Sequence, residues 1–264
     1  MIPSRLPSVE NAYADVNDAV RMLFRHDNTP AFVGRAMIQF LVTDNPSTNY
    51  VRRIHDVFVN NGNGVRGDMA SVVRAVLLDP EARDPAFAEQ APTFGRMREP
   101  VARAMHLARL TRVNREGDML WFNSEFYEQA FQAPLMAPTV FNFFRPSYKP
   151  PGVLKDSDLS GPVFQITTSY SALSFPNLMW ELSNEGFTHW AGYAFRPDFR
   201  DEIDLAGDVE ALIDHVNLLC CANRMSVGTR DILRTALNAA PTPVDKARLS
   251  IYLALMSPDG AVQR

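Results

Sequence analysis

The chain has 264 residues, enough for one large domain or two modest ones with a sizeable buried core. Hydrophobic residues make up 46% and charged residues 21%, a balance that excludes intrinsic disorder. The net charge of −4 gives no electrostatic reason for nucleic acid or an anionic membrane surface as a partner, and the arginines are scattered rather than gathered in a patch.

The start, Met1-Ile2-Pro3-Ser4-Arg5, lacks the apolar stretch of a secretory signal. No apolar run approaches the roughly 20 residues of a membrane span, so a soluble chain without membrane insertion is expected. In chain order, a first amphipathic helix covers Val9–Arg25 and ends at His26-Asp27-Asn28-Thr29-Pro30. A second over 31–42 puts Phe32, Val33, Ala36, Met37, Phe40 and Leu41 on one face, the stripe of a buried helix. Thr43-Asp44-Asn45-Pro46 breaks it, and Ser47 caps a third helix with Val51, Ile54, Val57 and Phe58 inward. After the glycine loop 61–67, Asp68 caps a fourth that buries Met69, Val72, Val73, Val76 and Leu77. A fifth runs over 99–113 with Pro100 in its first turn, where a missing N–H is harmless.

From 114 to 161 prolines and aromatics dominate and periodicity fades, leaving one short helix over 124–131 and an exposed turn at Asp156-Ser157-Asp158. A longer helix is expected over 166–183, kinked or split by Pro176. Residues 186–208 read as irregular. Val209, Leu212, Ile213, Val216, Leu219 and Cys220 form the apolar face of the next helix. Ser226 caps another to about 238, and Thr242-Pro243-Val244-Asp245 starts the last, which ends at Ser257-Pro258. No strand alternation, repeat or linker stands out. The expectation is an all-α, multi-helix globular domain over residues 1–264. Within it, residues 1–113 are helical, residues 114–208 form an irregular aromatic and proline-rich middle, and residues 209–264 supply the C-terminal helices.

The motifs carry little chemistry. Gly62-Asn63-Gly64-Val65-Arg66-Gly67 spells the dinucleotide fingerprint, but a helix precedes it where a strand is required, so it reads as a turn before the Asp68 cap. Arg66-Gly67-Asp68 spells an adhesion tripeptide, a match better explained by that same cap. His26, His55, His106, His189 and His215 include no pair at the spacing of a helical zinc site. His55-Asp56 and Asp214-His215 are helix neighbours whose side chains diverge by about 100°. Cys220 and Cys221, adjacent on a helix, read as reduced and structural. No Gly-x-Ser-x-Gly elbow and no phosphate loop is present. No cofactor is evident. Asp198, Asp201, Glu202, Asp204 and Asp208 offer oxygens for calcium, yet lack EF-hand spacing and read more simply as a solvated loop.

The most distinctive stretch is Thr139-Val140-Phe141-Asn142-Phe143-Phe144-Arg145-Pro146-Ser147-Tyr148-Lys149-Pro150-Pro151-Gly152. Its aromatic rings bury much area, and its prolines fix a loop at low entropic cost. It serves either as packing or as a pocket wall with Asn142, Arg145, Tyr148 and Lys149 as ligand-binding handles. Phe141-Asn142-Phe143-Phe144-Arg145-Pro146 with Tyr148-Lys149-Pro150-Pro151-Gly152, and then Phe164-Gln165-Ile166-Thr167, resembles the bacterial "domain of unknown function 1800" family. Asn45-Pro46-Ser47, Leu77-Leu78-Asp79-Pro80-Glu81-Ala82-Arg83 and Met256-Ser257-Pro258-Asp259 extend the likeness along nearly the whole chain. The resemblance implies the C-terminal half of a longer chain, with an N-terminal half as partner, and export to the periplasm for the full-length protein. It implies no agreed activity. Two functions are therefore expected as alternatives: a non-catalytic binding or scaffold domain, or a hydrolase of a small ester, lactone or polymer working beside the 139–152 loop. Catalytic residues are not identified in either.

Overall fold

A computed structural model describes residues 3, 5–91, 93–113, 124–140, 142–184, 186–188 and 194–264. The chain is all-α, with fifteen helices and four two-residue strands among the described residues. It divides into two compact units, residues 1–95 with Arg264, and residues 96–263. No described helix is long and apolar enough to cross a membrane.

The first unit holds α1 (Val9–Arg25), α2 (Thr29–Leu41), α3 (Thr48–Val59), α4 (Met69–Leu78), α5 (Pro80–Arg83) and α6 (Pro85–Gln90). Side-chain caps start five of them: Ser8, Ser47, Asp68, Asp79 and Asp84 each accept a hydrogen bond from the first turn. Ile38, Tyr50, Ile54, Phe58, Val72 and Val76 make the core. Tyr50 is fully buried, and its hydroxyl donates to the Val76 carbonyl at 2.5 Å. Arg53 clamps Asp79 with two hydrogen bonds of 2.7 Å and reaches Glu81 at 2.9 Å. That fork ties α3 to the start of α5.

The second unit starts with β1 (Arg96–Met97), α7 (Pro100–Leu110), α8 (Ser124–Ala130) and α9 (Val153–Asp156). A 3-10 turn, Pro162–Ile166, leads to α10 (Ser171–Asn184). Then come β2 (Phe187–Thr188), β3 (Ala194–Phe195), α11 (Arg200–Leu205), α12 (Val209–Cys221), α13 (Val227–Ala239), α14 (Pro243–Met256), α15 (Pro258–Ala261) and β4 (Val262–Gln263). β1 pairs antiparallel with β4, and β2 with β3. Helix α14 is central: α10, α11, α12 and α13 pack on it, and Ala247, Ile251, Ala254 and Leu255 are fully buried. Its alanines let neighbours approach closely, and the larger residues fill the gaps.

Several expectations need correction. On α2 the buried residues are Pro30, Gly34, Ile38 and Gln39, and Val33, Met37 and Leu41 pack against the core as expected, while Phe32 is 76% and Phe40 42% exposed. The helix carries apolar residues on most sides, with Arg35 and Gln39 among them, so periodicity alone does not fix its phase. Gly34 does, because its bare backbone lies against Ile54 of α3. Met69 and Leu77 of α4 and Leu219 of α12 are exposed for a similar reason, each sitting beside rather than on the buried stripe. The helix expected over 166–183 does break, but at 167–170 and not at Pro176, which lies inside α10. There Thr168 and Ser171 cap one another: each backbone N–H donates to the other's hydroxyl, at 2.8 and 3.1 Å. Residues 186–208 hold a short strand pair and α11, and α5 and α6 also went unseen. These elements are too short to show a period.

Candidate functional site

Where it is described, the 139–152 loop is packed at its centre and exposed at its ends. Phe144 is buried with Val163 and Ile166, and Met97, Phe131 and Phe143 lie against them. The Phe143 ring stands 6.3 Å from that of Tyr127. Phe141 lies outside the described residues. Of the four polar handles, Lys149 has its side chain engaged locally, and Asn142, Arg145 and Tyr148 are tied by their backbone groups. Asn142 has φ of 72° and closes a turn, donating from its backbone N–H to the Thr139 carbonyl at 3.2 Å. Arg145 is exposed, and its backbone N–H donates to Gln165 Oε1 at 2.8 Å. The Tyr148 carbonyl accepts from the Gly161 N–H at 2.9 Å, and Lys149 is ion-paired with Asp158. The loop is thus stitched to residues 158–165.

The histidines are partnered separately. His26 Nδ1 accepts from the Asn28 N–H at 3.1 Å, and His55 meets Asp56 at 2.9 Å. His189 lies outside the described residues. Arg98 donates to His106 Nδ1 at 3.0 Å and to the Cys220 and Gly260 carbonyls at 3.3 and 3.2 Å. The other ring nitrogen, Nε2, therefore carries the proton and donates to the Leu219 carbonyl at 3.1 Å. Burial and the Arg98 charge hold the His106 pKa below its ordinary value. His215 Nε2 sits 3.0 Å from Oε1 of the buried Glu202, a carboxylate brought from α11, while its sequence neighbour Asp214 turns to Arg230 at 2.8 Å. This is a base with an orienting acid, but neither His106 nor His215 is bonded to a serine, threonine or cysteine among the described residues. Burial pushes both cysteine thiols up, Cys221 to about 11, so neither ionises at neutral pH.

The acidic run is spread over separate uses. Asp198 pairs with Arg200 at 2.5 Å, Asp201 with Arg112 at 2.5 Å, Glu202 with His215, and Asp208 caps α12. Among the described residues no three His, Cys, Asp or Glu side chains converge as a metal site.

One open cleft among the described residues lies elsewhere in the second unit. A cleft of about 450 Å³ runs between α10, α13 and α14. Trp180 and Asn184 form one wall, and Ala236 and Ala239 leave room at the end of α13. Trp180 is held edge-on to Tyr252, ring centroids 5.1 Å apart. Arg248 donates from a terminal nitrogen to Asn184 Oδ1 at 3.0 Å, while its Nε, like those of Arg96 and Arg103, is buried without a partner among the described residues. A buried N–H left unbonded costs stability. Sequence reading missed this place because Trp180, Ala236 and Arg248 meet through tertiary packing. The one local sign is Ala239-Ala240, small residues at a helix end.

The family model described as "Protein of unknown function (DUF1800)" matches residues 4–261. This agrees with the resemblance read from Phe143-Phe144-Arg145-Pro146 and its neighbours. It corrects the assignment to a C-terminal half alone, since the amino-terminal helices fall within the match as well. No curated protein and no solved structure matches the chain.

Proposed function

We propose that this chain, which belongs to the DUF1800 family of proteins of unknown function, is a binding domain whose ligand occupies the cleft between α10, α13 and α14. The observation that carries the reading is the cleft itself, a largely apolar concavity with the Arg248 side chain in its lining. The surrounding Trp180, Ala236, Ala239 and Leu249 are mostly apolar, so the fitting ligand has an apolar body and one carbonyl or carboxylate acceptor. A short apolar peptide end has both. The hydrolase alternative draws on the His215–Glu202 pair, but catalysis by that pair needs a nucleophile within hydrogen-bond reach of the imidazole.

An acetylated dileucine with a free carboxylate is the probe. Titration calorimetry with the full chain is expected to show saturable binding. Arg248→Met and, separately, Ala239→Leu should each weaken it about tenfold or more, the first by removing the donor and the second by filling space. Equal affinity in the wild type and both variants would sink the reading, as would no binding at all.

A further inference from the structure

The loop between α3 and α4 contains one dipeptide twice, Asn61-Gly62 and Asn63-Gly64. Asparagine is a labile residue, and most of all before glycine. The glycine nitrogen can attack the side-chain carboxamide, and a residue without Cβ does not crowd that attack. The loop is built around its asparagines. Asn60 Oδ1 accepts from the N–H groups of Gly62 and Gly64 at 2.9 and 2.8 Å. Asn61 Oδ1 accepts from those of Asn63 and Val65 at 2.9 and 3.3 Å, and Asn61 Nδ2 donates to Asp68 Oδ2 at 2.8 Å. These side chains take the place of backbone partners, as asparagines do in turns. The base of the loop is anchored as well. The Gly67 N–H donates to the Phe58 carbonyl at 2.8 Å, and the Arg66 guanidinium donates to the Phe24 and His26 carbonyls at 3.1 and 3.2 Å.

Sequence alone makes the two dipeptides equal, and the fold separates them. Both attacking nitrogens donate to the same acceptor, Asn60 Oδ1, so that brake is common to both. The carboxamides under attack are not alike. That of Asn61 must give up its bonds to Asn63, Val65 and the Asp68 carboxylate before it can turn toward the Gly62 nitrogen. That of Asn63 is exposed and makes no hydrogen bond among the described residues. Around Gly64 a Cβ would meet nothing within 4 Å, so water has open access. We infer that Asn63 is a self-modification site, where the Gly64 nitrogen displaces the carboxamide nitrogen and water then leaves aspartate or isoaspartate, while Asn61 is held back by its bonds within the loop. In the first step the bond from the Gly64 nitrogen to Asn63 Cγ forms and the Cγ–Nδ2 bond breaks. The Gly64 proton leaves with Nδ2 as ammonia, and a five-membered imide remains. In the second step water opens the imide. Attack at Cγ gives aspartate, and attack at the backbone carbonyl gives isoaspartate, in which the chain runs through the side chain. Nothing is oxidised or reduced. The product carries one new carboxylate, so the formal net charge of −4 becomes one unit more negative.

The test is incubation of the full chain at mildly alkaline pH, with samples taken over time, digested with trypsin and sequenced by mass spectrometry. Arg53 and Arg66 bound a single tryptic peptide, Ile54 to Arg66, that holds both sites, so each conversion is read as an amide-to-acid mass gain at its own position. In the folded chain, conversion at residue 63 is expected to outpace that at residue 61 about tenfold or more, because Asn61 must first break several hydrogen bonds. The same chain unfolded in urea is expected to convert both positions at nearly equal rates, since the preference belongs to the fold. Asn60→Ala removes the acceptor that holds the Gly64 N–H and should speed conversion at residue 63 of the folded chain about threefold or more. Three results overturn the inference: residue 61 keeping pace with residue 63 in the folded chain, the same ratio in folded and unfolded chains, or a folded chain unconverted at residue 63 when the unfolded one has converted. Indifference of residue 63 to Asn60→Ala overturns the role given to the shared acceptor.

Discussion

His106 shows how one side chain can be fixed by groups that no local pattern connects. Its ring bridges Arg98 on one side and the Leu219 carbonyl near the end of α12 on the other. The folded chain holds the imidazole neutral, because burial first and the Arg98 charge second lower its pKa. The unfolded chain takes up that proton near pH ~6.5. Below that value the unfolded state binds more protons, so this site's contribution to stability is present above it and lost as pH falls. The expected result is a lower melting temperature near pH ~5 than near pH ~8. His106→Gln should narrow that gap. An unchanged gap would mean that other groups set the acid sensitivity. Histidine spacing along the sequence did not reveal this bridge. Nor did it reveal His215 with Glu202, because both contacts join residues more than ten positions apart.

At the scale of the element, ends were more legible than faces. Ser47, Asp68, Ser226 and Thr242 each cap the helix expected to follow, because an N-cap needs only a short oxygen-bearing side chain at the right position. Ser47 accepts from the Tyr50 N–H at 3.0 Å and donates to Glu81 Oε1 at 2.7 Å. Ser47→Ala is expected to cost about 1 kcal/mol, read from the urea midpoint at unchanged slope. Faces were harder. In α2 a largely apolar sequence leaves the phase to Gly34 and its neighbour Ile54, and in α10 the Thr168–Ser171 cap places the break six or more residues from the proline that suggested one. Pro176 stays in the helix because α10 is held by burial of Phe175, Leu178, Met179 and Leu182.

At the scale of the molecule, the two units have cores with no buried residue in common. Ile38 and Leu237, both fully buried, belong to different ones. Ile38→Ala and Leu237→Ala are each expected to cost about 2–5 kcal/mol. With no shared partner, their effects should add within about 0.5 kcal/mol in the double variant, measured by chemical denaturation. A larger departure would show that the cores are coupled. The 139–152 loop belongs to this scale too. Its Phe144 ring packs with Val163 and Ile166, and the backbone of Arg145 and Tyr148 and the side chain of Lys149 are bonded across to residues 158–165, which fastens the loop there.

By itself the sequence determined the all-α class, most of the longer helices and their caps, and the family. Composition, periodicity and capping chemistry are local, acting over a turn or two of chain. Only the tertiary structure decided which face of α2 points inward, that Glu202 rather than Asp214 meets His215, and that Trp180, Ala239 and Arg248 line one cleft. It also decided that α1, amphipathic by sequence, has no core of its own to pack against. The physical reason is common to all four. A side chain's partners across tens of residues are set by which helices pack together, and packing depends on volumes and close approaches that no stretch of sequence carries alone.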